Sequence, residues 1–226
     1  MSDPTSSAHY VLTPTDAMRY NEVVTRLRTA YDQSAAQRNA RGRQPWKAAL
    51  RDAFAARLRQ AGATRLVEFG AGPGYDSAFF HEMGLSVVAI DPSPEMVRFC
   101  REKGVASYVG DYLHHHEPDG SADALWAMNS LLHVSNEALP DVLWALHRLL
   151  RPDGLFFLCV YGGDDEEGLS PFDHHQPPRF FSFRSDETLR AMLAPYFEIV
   201  EFTILNDGTS ERSQALTLRR RGEATE

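Results

Sequence analysis

Short apolar runs alternate with amphipathic segments along most of the chain. The apolar runs predict five strands: RLVEF at 65–69, SVVAI at 86–90, ASYV at 106–109, DALWAM at 123–128 and GLFFLCVY at 154–161. Apolar residues recur at helical spacing in other segments, which predicts helices at 75–83, 94–103, 137–150 and 185–194. Strands that alternate with helices are typical of a parallel sheet covered by helices on both faces.

Both ends of the chain depart from this alternation. Two further helices are predicted before the first strand, at 16–39 with Thr15 as N-cap and at 44–62. After the last helix, YFEIVEFTIL at 196–205 and SQALTLRR at 213–220 predict two strands. Only a short polar turn separates them, so they must pair antiparallel. The predicted sheet therefore has seven strands, mostly parallel, with a C-terminal antiparallel hairpin.

Length and composition limit the class of protein. The 226 residues suit one compact domain with short extensions, and the formal net charge is −8. This acidic balance argues against nucleic acid or an anionic membrane as the main partner. No apolar run approaches the ~20 residues that span a bilayer. Cys100 and Cys159 lie in apolar runs and are expected to be buried free thiols, which suits a cytoplasmic protein.

A glycine-rich turn follows the first predicted strand. The stretch VEFGAGPG, 67–74, places Glu68 two positions before three glycines at alternate spacing, and a predicted helix follows. Glycines at such a turn let a nucleotide approach the backbone, and the start of the helix offers free N–H groups. A dinucleotide fingerprint would need a third glycine at the position of Tyr75, which is too large. The spacing therefore disfavours a dinucleotide.

Acidic residues end the next two predicted strands. Asp91 comes about 20 residues after the glycines, where a carboxylate can accept hydrogen bonds from a ribose diol. Asp111 ends the third strand, where it could accept from an adenine amino group. Each has a local alternative, since Asp91 could cap the next helix and Asp111 could be a turn residue. Their common register with the glycines favours a nucleotide site.

These motifs together resemble the class I S-adenosylmethionine-dependent methyltransferases, in particular the small bacterial type that acts on small molecules. The matching stretches are VEFGAGPG, VVAIDPSPEMV, VGDYL, DALWAMNSLLHV, LLRPDGLFFL and the C-terminal hairpin, within residues 64–220. The resemblance implies a Rossmann-like α/β fold with S-adenosyl-L-methionine as cofactor. It also implies in-line transfer of the methyl group to an O, N or C nucleophile of a small molecule.

The resemblance assigns residues to the cofactor as well. Glu68 and the glycine turn would face its methionine and ribose parts, Asp91 the ribose hydroxyls, and Asp111 with Tyr112 the adenine edge. The full predicted cofactor set is Tyr31, Arg38, Glu68, Gly70, Ala71, Gly72, Gly74, Asp91, Pro92, Met96, Gly110, Asp111, Tyr112, Met128 and Asn129. Apart from the two on the first helix, these residues come at the carboxyl ends of strands, where open α/β sheets bind ligands.

The predicted domain boundaries rest on the same resemblance. Residues 63–220 would form the methyltransferase core, and residues 16–62 a helical lid over the cofactor. Residues 1–15 and 221–226 are expected to be tails. In the lid, Arg38 could meet the carboxylate of the cofactor. Closure by such a lid would exclude water while the methyl acceptor is aligned.

Histidines near the ends of the fourth and fifth strands are candidate proton acceptors. His133 is the predicted catalytic base, because it follows the fourth strand and an imidazole accepts protons near neutral pH. It could instead be a packing or capping residue, and an amine acceptor could react without a base. His174 and His175 are further candidates.

The segment 162–183 is predicted to bind the acceptor. It is too long and too aromatic for a simple connector, and long loops in compact domains are usually functional. Tyr161, Arg179 and Phe180 are the predicted substrate residues, with Phe180 and the lid's Tyr31 bracketing the acceptor. Arg179 could pair with a carboxylate or a phosphate. A self-packed surface loop is the alternative.

Three consecutive histidines at 114–116 suggest a metal site, but consecutive side chains point in different directions. Spacing typical of metal ligands is absent, so no metal is predicted. The expected partner is a small-molecule methyl acceptor, bound by a monomer or a homodimer. Two other functions stay open at this point, an NAD-dependent oxidoreductase and a non-catalytic S-adenosylmethionine-binding protein.

Overall fold

The computed structural model describes residues 18–170, 173–206 and 212–222. Within these ranges the helices are α1 (Tyr20–Arg41), α2 (Pro45–Gln60), α3 (Tyr75–Glu82), α4 (Pro94–Glu102), α5 (Leu139–Leu149) and α6 (Asp186–Leu193), with a 3₁₀ helix at Leu131–His133. The strands are β1 (Arg65–Phe69), β2 (Ser86–Asp91), β3 (Ala106–Val109), β4 (Ala122–Met128), β5 (Leu150–Tyr161), β6 (Glu166–Leu169), β7 (Phe180–Phe183), β8 (Phe197–Asn206) and β9 (Arg212–Arg220). The predicted N-cap Thr15 and the predicted tail at 1–15 lie outside the described residues, as do residues 223–226.

Seven of these strands form one sheet in the order β3-β2-β1-β4-β5-β9-β8. Strands β1 to β5 run parallel, and β9 pairs antiparallel with both β5 and β8. The chain reverses its direction across the sheet between β1 and β4, and such a switch leaves a crevice at the carboxyl ends of these strands. The predicted fold, a seven-stranded Rossmann-like sheet with a C-terminal antiparallel hairpin, is confirmed.

Helices cover both faces of the sheet, which explains the continuous apolar runs of its central strands. In β1, Val67 joins the core covered by α5 and α6, whereas Leu66 joins the core covered by α2 and α3. Trp126 of β4 is fully buried and stacks on Phe157, with 4.1 Å between the ring centroids. This two-sided packing holds the strand ends, and thus the loops that leave them, in place.

The two N-terminal helices occupy different places. Helix α2 packs Phe54 and Leu58 against the sheet, because its apolar side faces the same core as Trp126. Helix α1 instead contacts α4 and β7, and it buries Leu27 against Phe180. Because α2 packs in the core, α1 is the part of the predicted lid at residues 16–62 that stays a candidate for a lid.

The segment 162–183, predicted as a loop, contains a second, two-stranded sheet. Strands β6 and β7 pair antiparallel, with Leu169 opposite Phe180. The three phenylalanines of β7 are buried, in keeping with its apolar sequence FFSF. The sequence of β6, EEGL, is acidic and contains glycine, residue types that are depleted in strands, so its pattern does not indicate one. Phe172 of the same segment lies outside the described residues.

Strand β5 begins at Leu150, earlier than the predicted start at residue 154. Its pairing with β4 passes from Leu150 directly to Leu155, so residues 151–154 bulge out of the ladder. Asp153 in this bulge has a φ of +61°, a conformation that aspartate adopts more readily than most residues. Because residues 151–154 lie outside the ladder, their polar sequence does not indicate a strand, and the apolar run begins only after them.

Cys100 and Cys159 are buried free thiols, as predicted. Burial raises the pKa of Cys159 to about 12, so this thiol stays protonated at neutral pH. Among the described helices, none combines the length and the apolar character that a membrane-crossing helix needs.

Candidate functional site

A cavity of about 1340 Å³ lies at the carboxyl ends of the parallel strands, beneath α1. Its walls come from the glycine turn after β1, the ends of the neighbouring strands, the loop before β7 and one side of α1. This volume exceeds the ~300–1,000 Å³ that is typical of one small-molecule site. The cavity therefore has room for two ligands side by side.

Gly72 forms an open part of the wall at one end of this cavity. Its φ is +55°, which disfavours a side chain, and a Cβ there would meet no protein atom within 4 Å. The turn thus presents bare backbone to a ligand. Gly74 serves packing instead, because a Cβ there would lie 2.8 Å from the sulfur of Cys100 on α4.

Asp91 is the buried carboxyl group next to Gly72. Its two oxygens accept hydrogen bonds from the backbone N–H groups of Gly72 at 2.8 Å and Ser93 at 2.9 Å. Burial raises the pKa of Asp91 to about 6, although both hydrogen bonds favour the ionised form. A carboxylate has about four acceptor positions, so two remain for a ligand. Asp91 can therefore accept from a pair of hydroxyl groups.

Glu68 lies beneath the glycine turn rather than on the cavity wall. Its side chain is 2% exposed and accepts a hydrogen bond from Ser77 on α3. Burial raises the pKa of Glu68 to about 7. The carboxyl group of Glu68 points into the protein and not into the cavity, so the structure favours a role in supporting the glycine turn over the predicted direct contact with a cofactor.

Asp111 lies on the cavity wall at the end of β3 and is already hydrogen-bonded. It accepts from the hydroxyl of Tyr20 at 2.9 Å and from the backbone N–H of Leu113 at 2.9 Å. Burial and the charge of Asp111 raise the pKa of Tyr20, so this hydroxyl stays a donor. Because Tyr20 begins α1, the contact ties that helix to the edge of the sheet.

Asn129 follows β4 between the two ends of the cavity. Its φ is +54°, and its side-chain nitrogen donates to the hydroxyl of Tyr161 at 3.4 Å. Its side-chain oxygen is buried and has no hydrogen-bond partner in the described part of the protein. A buried acceptor without a donor costs free energy, so this oxygen is suited to a ligand that carries an N–H group.

His133 and Tyr31 form a hydrogen-bonded pair on the wall of the same cavity. His133 Nδ1 lies 2.6 Å from the carbonyl oxygen of Phe180, and a carbonyl can only accept, so Nδ1 carries the hydrogen. His133 Nε2 then accepts from the hydroxyl of Tyr31 at 2.8 Å. Burial, with the charge of Arg179, lowers the pKa of His133 to about 3. Both ring nitrogens are used within the protein, which argues against His133 as the predicted base.

Arg179 is paired with Asp173 rather than left open to an anion. Its Nε and Nη2 donate to the two oxygens of Asp173 at 2.9 and 3.0 Å, and its Nη1 donates to the hydroxyl of Tyr31 at 3.1 Å. The guanidinium also lies 5.0 Å from the ring centroid of Phe181. The predicted pairing of Arg179 with a substrate carboxylate or phosphate is therefore not favoured, because Asp173 already balances its charge.

Most of the predicted site residues meet on this cavity. The wall includes Tyr31, Arg38, Gly70, Gly72, Asp91, Pro92, Met96, Asp111, Tyr112, Met128, Asn129, His133, Tyr161 and Arg179. The predicted residues that do not line it are Glu68, Ala71, Gly74, Gly110 and Phe180. The Phe180 side chain packs against Val23 and Leu27 of α1, so it holds the helix instead of bracketing an acceptor.

The three consecutive histidines contact three different groups. His114 hydrogen-bonds Asp111 at 3.0 Å, the ring of His115 packs edge-on against Phe69, and His116 stacks on Tyr108. The side chains diverge, as the sequence predicts for neighbouring residues. Among the described residues no group of three or more histidine, cysteine or acidic side chains could hold a metal ion.

The Gly72 end of the cavity fits S-adenosylmethionine. Asp91 can accept from a ribose diol, and the bare backbone at Gly72 leaves space beside it. The orphaned oxygen of Asn129 suits the ammonium group of the methionine part. Pro92 and Met96 supply apolar wall next to Asp91, as an adenine ring requires. The donors and acceptors present therefore match those of the cofactor.

Two residues of the site are absent from the sequence-based predictions. Asp173 organises the loop before β7, and Tyr20 ties α1 to Asp111. The position of Asp173, six residues before Arg179, only weakly indicates that the two side chains form an ion pair within this segment. Tyr20 carries no signal, because its partner is 91 residues away in the chain.

The structure is an α/β fold with its cavity at the switch point of the sheet, the place where open α/β sheets bind their ligands. Residues 67–158 match the family model described as a methyltransferase domain. A relative named ubiquinone biosynthesis O-methyltransferase, from Xanthomonas oryzae pv. oryzae, is 38% identical over 103 residues. That alignment covers 42% of each protein, so the chain spans less than half the length of the curated relatives it matches.

Solved structures share the fold over more of the chain. The 1,6-didemethyltoxoflavin-N1-methyltransferase of Burkholderia thailandensis, solved with 1,6-didemethyltoxoflavin and S-adenosylhomocysteine, has a TM-score of 0.73 at 24% identity and covers 93% of this chain and 94% of its own. A methyltransferase from Mesorhizobium loti has a TM-score of 0.57 at 20% identity, with 70% and 91% covered. The chain therefore shares its fold with solved S-adenosylmethionine-dependent methyltransferases, and its residues 67–158 match a methyltransferase domain. Both findings agree with the predicted family and with the predicted cofactor.

Proposed function

We propose that the protein transfers the methyl group of S-adenosylmethionine to a nucleophilic atom of a small molecule. One observation carries this proposal: a single cavity joins the cofactor-like end at Gly72 and Asp91 to a second end lined by aromatic and hydrogen-bonding side chains. Methyl transfer needs donor and acceptor side by side in one enclosed space. The match of residues 67–158 to a methyltransferase domain supports the reaction, and the shape of the cavity supports a small acceptor.

The protein's own contribution is mainly placement. When bound, the cofactor supplies an activated methyl group on a positively charged sulfur. Asp91 and the backbone of Gly72 would hold its ribose, and Asn129 its amino group. Helix α1 would exclude water, because Tyr20, Tyr31 and other residues along it form one side of the cavity.

Helix α1 is fastened to the core where it crosses the cofactor end. Asp32 accepts hydrogen bonds from the Ser93 hydroxyl at 2.5 Å and from the Glu95 backbone at 3.2 Å, beside Asp91. Asn39 accepts from Lys103 of the loop after α4 at 2.8 Å. As a lid, α1 is thus attached along its length, and entry of ligands would require local opening of these contacts.

The second end of the cavity favours a neutral, planar acceptor. Tyr31, Tyr161 and Phe181 supply aromatic surface, and the charge of Arg179 is balanced by Asp173. The named relatives are an O-methyltransferase of ubiquinone biosynthesis and an N1-methyltransferase of 1,6-didemethyltoxoflavin. We therefore infer that the acceptor atom here is an O–H or N–H group on a small ring compound.

Two measurements test the proposed function. Calorimetry should show binding of S-adenosylmethionine and not of NAD. Methyl-labelled cofactor should then give labelled product with catechol or with 1,6-didemethyltoxoflavin as the probe. Tight cofactor binding without transfer to either probe or to a metabolite extract would support the non-catalytic alternative. Absence of cofactor binding would contradict the site itself.

Cofactor affinity should depend on pH through Asp91. Ribose hydroxyls donate to the ionised carboxylate, and the pKa of Asp91 without ligand is about 6. Affinity should therefore be constant above this pH and weaken about tenfold per pH unit below it, as Asp91 becomes protonated. Calorimetry from pH 5 to pH 8 measures the slope.

The matched variant Asp91→Asn keeps the size of the side chain but cannot ionise. It should bind the cofactor more weakly by about 1.5–3 kcal/mol at pH 8, because hydrogen bonds to a charged acceptor are lost. It should also lose the weakening below pH 6. The same slope in wild type and variant would assign the pH dependence to another group.

A further inference from the structure

The side chains on the cavity wall that could take up a proton include the imidazoles of His133, His174 and His175 and the hydroxyl of Tyr31. His174 is exposed to solvent, so the comparison concerns the other three. The hydrogen bonds around each decide which of them has a free lone pair. An acceptor O–H or N–H must lose its proton as the methyl group arrives, so this choice identifies the base.

His133 has no lone pair to offer. Its Nδ1–H donates a hydrogen bond to the Phe180 carbonyl, and the lone pair of its Nε2 accepts a hydrogen bond from the Tyr31 hydroxyl. Tyr31 in turn accepts from Arg179. These contacts fix the Tyr31 ring and its hydroxyl in one orientation, so His133 and Arg179 are positioning residues for Tyr31.

His175 has the opposite arrangement. Its Nδ1 lies 2.9 Å from an oxygen of Asp173, so Nδ1 carries the hydrogen and Nε2 keeps its lone pair. The described residues give Nε2 no hydrogen-bond partner. The ring also packs edge-on against Tyr31, with 5.8 Å between the centroids, so it lies beside the aromatic surface proposed for the acceptor.

Asp173 is built to stay ionised behind this imidazole. Its side chain is 2% exposed. Burial raises the pKa of Asp173, but hydrogen bonds from His175 and Arg179 outweigh this effect and hold the pKa well below its usual range. A buried carboxylate on Nδ1 fixes the tautomer of a histidine and stabilises its protonated form, as in other His–Asp pairs.

We propose that His175, oriented by Asp173, is the general base for methyl transfer. The O–H or N–H bond of the acceptor breaks and its proton passes to His175 Nε2. The electron pair of the acceptor atom forms the bond to the methyl carbon, and the bond from that carbon to sulfur breaks with its electrons left on sulfur. The His175 side chain is 17% exposed, so the proton can then leave to water. This assignment rests on the proposed function.

Kinetics of His175 variants test the assignment. His175→Gln and His175→Ala should lower kcat by about 10²–10⁴-fold. The kcat is measured with catechol or 1,6-didemethyltoxoflavin, whichever of these probes the wild-type protein methylates. Cofactor affinity by calorimetry should stay within about twofold, since His175 lies away from the Gly72 end, and added imidazole should restore part of the rate in His175→Ala. The control His116→Gln, on an exposed histidine outside the cavity, should leave kcat within about twofold.

A second measurement needs no substrate. In protein labelled with ¹⁵N-histidine, the ring nitrogens of neutral His175 should show a protonated Nδ1 and an unprotonated Nε2, with the signal identified by its loss in His175→Gln. Near-wild-type kcat in both His175 variants, or a hydrogen on Nε2 of the neutral ring, would overturn the proposal. Transfer to neither probe would count against the proposed acceptor class, while the NMR result would still decide the tautomer.

Discussion

Gly72→Val is expected to abolish useful cofactor binding while the protein remains folded. The valine side chain would enter the space beside Asp91, where a Cβ meets no protein atom and the proposed cofactor lies against bare backbone. Overpacking of a closed site costs about 1–3 kcal/mol, and a rigid ribose cannot move away, so affinity should fall towards the upper limit of about 150-fold. Calorimetric titration with S-adenosylmethionine measures the loss.

Gly120→Val is the matched control for backbone strain. Gly120 also has a positive φ, +64°, and open space around its Cβ position, but it lies outside the cavity wall. Both variants should lose about 1–2 kcal/mol of unfolding free energy, because a side chain is strained in this conformation. Only Gly72→Val should lose the cofactor. Equal affinity in the two variants would place the cofactor elsewhere.

Trp126→Ala should have the largest effect on stability. The ring is fully buried, stacks on Phe157 and donates from Nε1 to Asp76 at 3.1 Å. Its removal leaves a cavity between the sheet and α2 and deprives a buried carboxyl group of a donor. The loss should be about 3–5 kcal/mol in unfolding free energy, a substantial part of the ~5–15 kcal/mol of a typical domain.

Trp144→Ala is the control for the same change of residue. Trp144 lies on α5, is 39% exposed and stacks on His147 at the surface. Its replacement should cost about 1 kcal/mol or less, because removal of a partly exposed ring at the surface leaves no closed cavity. Urea unfolding of both variants gives the comparison. Similar losses would mean that the ring of Trp126 packs less tightly than the structure shows.

The hydrophobic pattern was sufficient for the main sheet. Strands such as β1 and β4 are buried on both faces, so their apolar runs are continuous and easily recognised. The small sheet of β6 and β7 was missed, because the acidic sequence of β6 does not indicate a strand. Its Glu167 accepts hydrogen bonds from Asn136 and Ser182, which are distant in the chain. The start of β5 was missed for a related reason, since residues 151–154 bulge from the ladder.

The sequence also brought together the residues of the proposed cofactor half of the site. Gly72 and Asp91 are joined by a hydrogen bond of 2.8 Å, and both positions follow from the order of strands and turns. The position of Glu68 did not follow, because a residue near the end of a strand can face either side of the turn. In the structure its carboxyl group contacts Ser77 below the turn.

The acceptor half shows where sequence reasoning ends. A histidine after β4 is a reasonable base by position, but its protonation depends on groups that position does not reveal. Both ring nitrogens of His133 are occupied by hydrogen bonds, one with Tyr31, 102 residues away, and one with Phe180, 47 residues away. His175 is favoured by its neighbour Asp173, a local pair whose importance appears only when the loop is placed over the cavity.

The sequence by itself determined the alternating α/β fold, the antiparallel end and the resemblance to methyltransferases, because these depend on local periodicity and on short contiguous motifs. The tertiary structure alone decided that α1 forms most of the helical side of the cavity, that Arg179 is paired with Asp173, and which imidazole keeps a free lone pair. These features depend on hydrogen bonds between distant segments, such as the contact of Arg179 with Tyr31 across 148 residues. Each such bond fixes a proton or a charge, and no pattern within one segment encodes it.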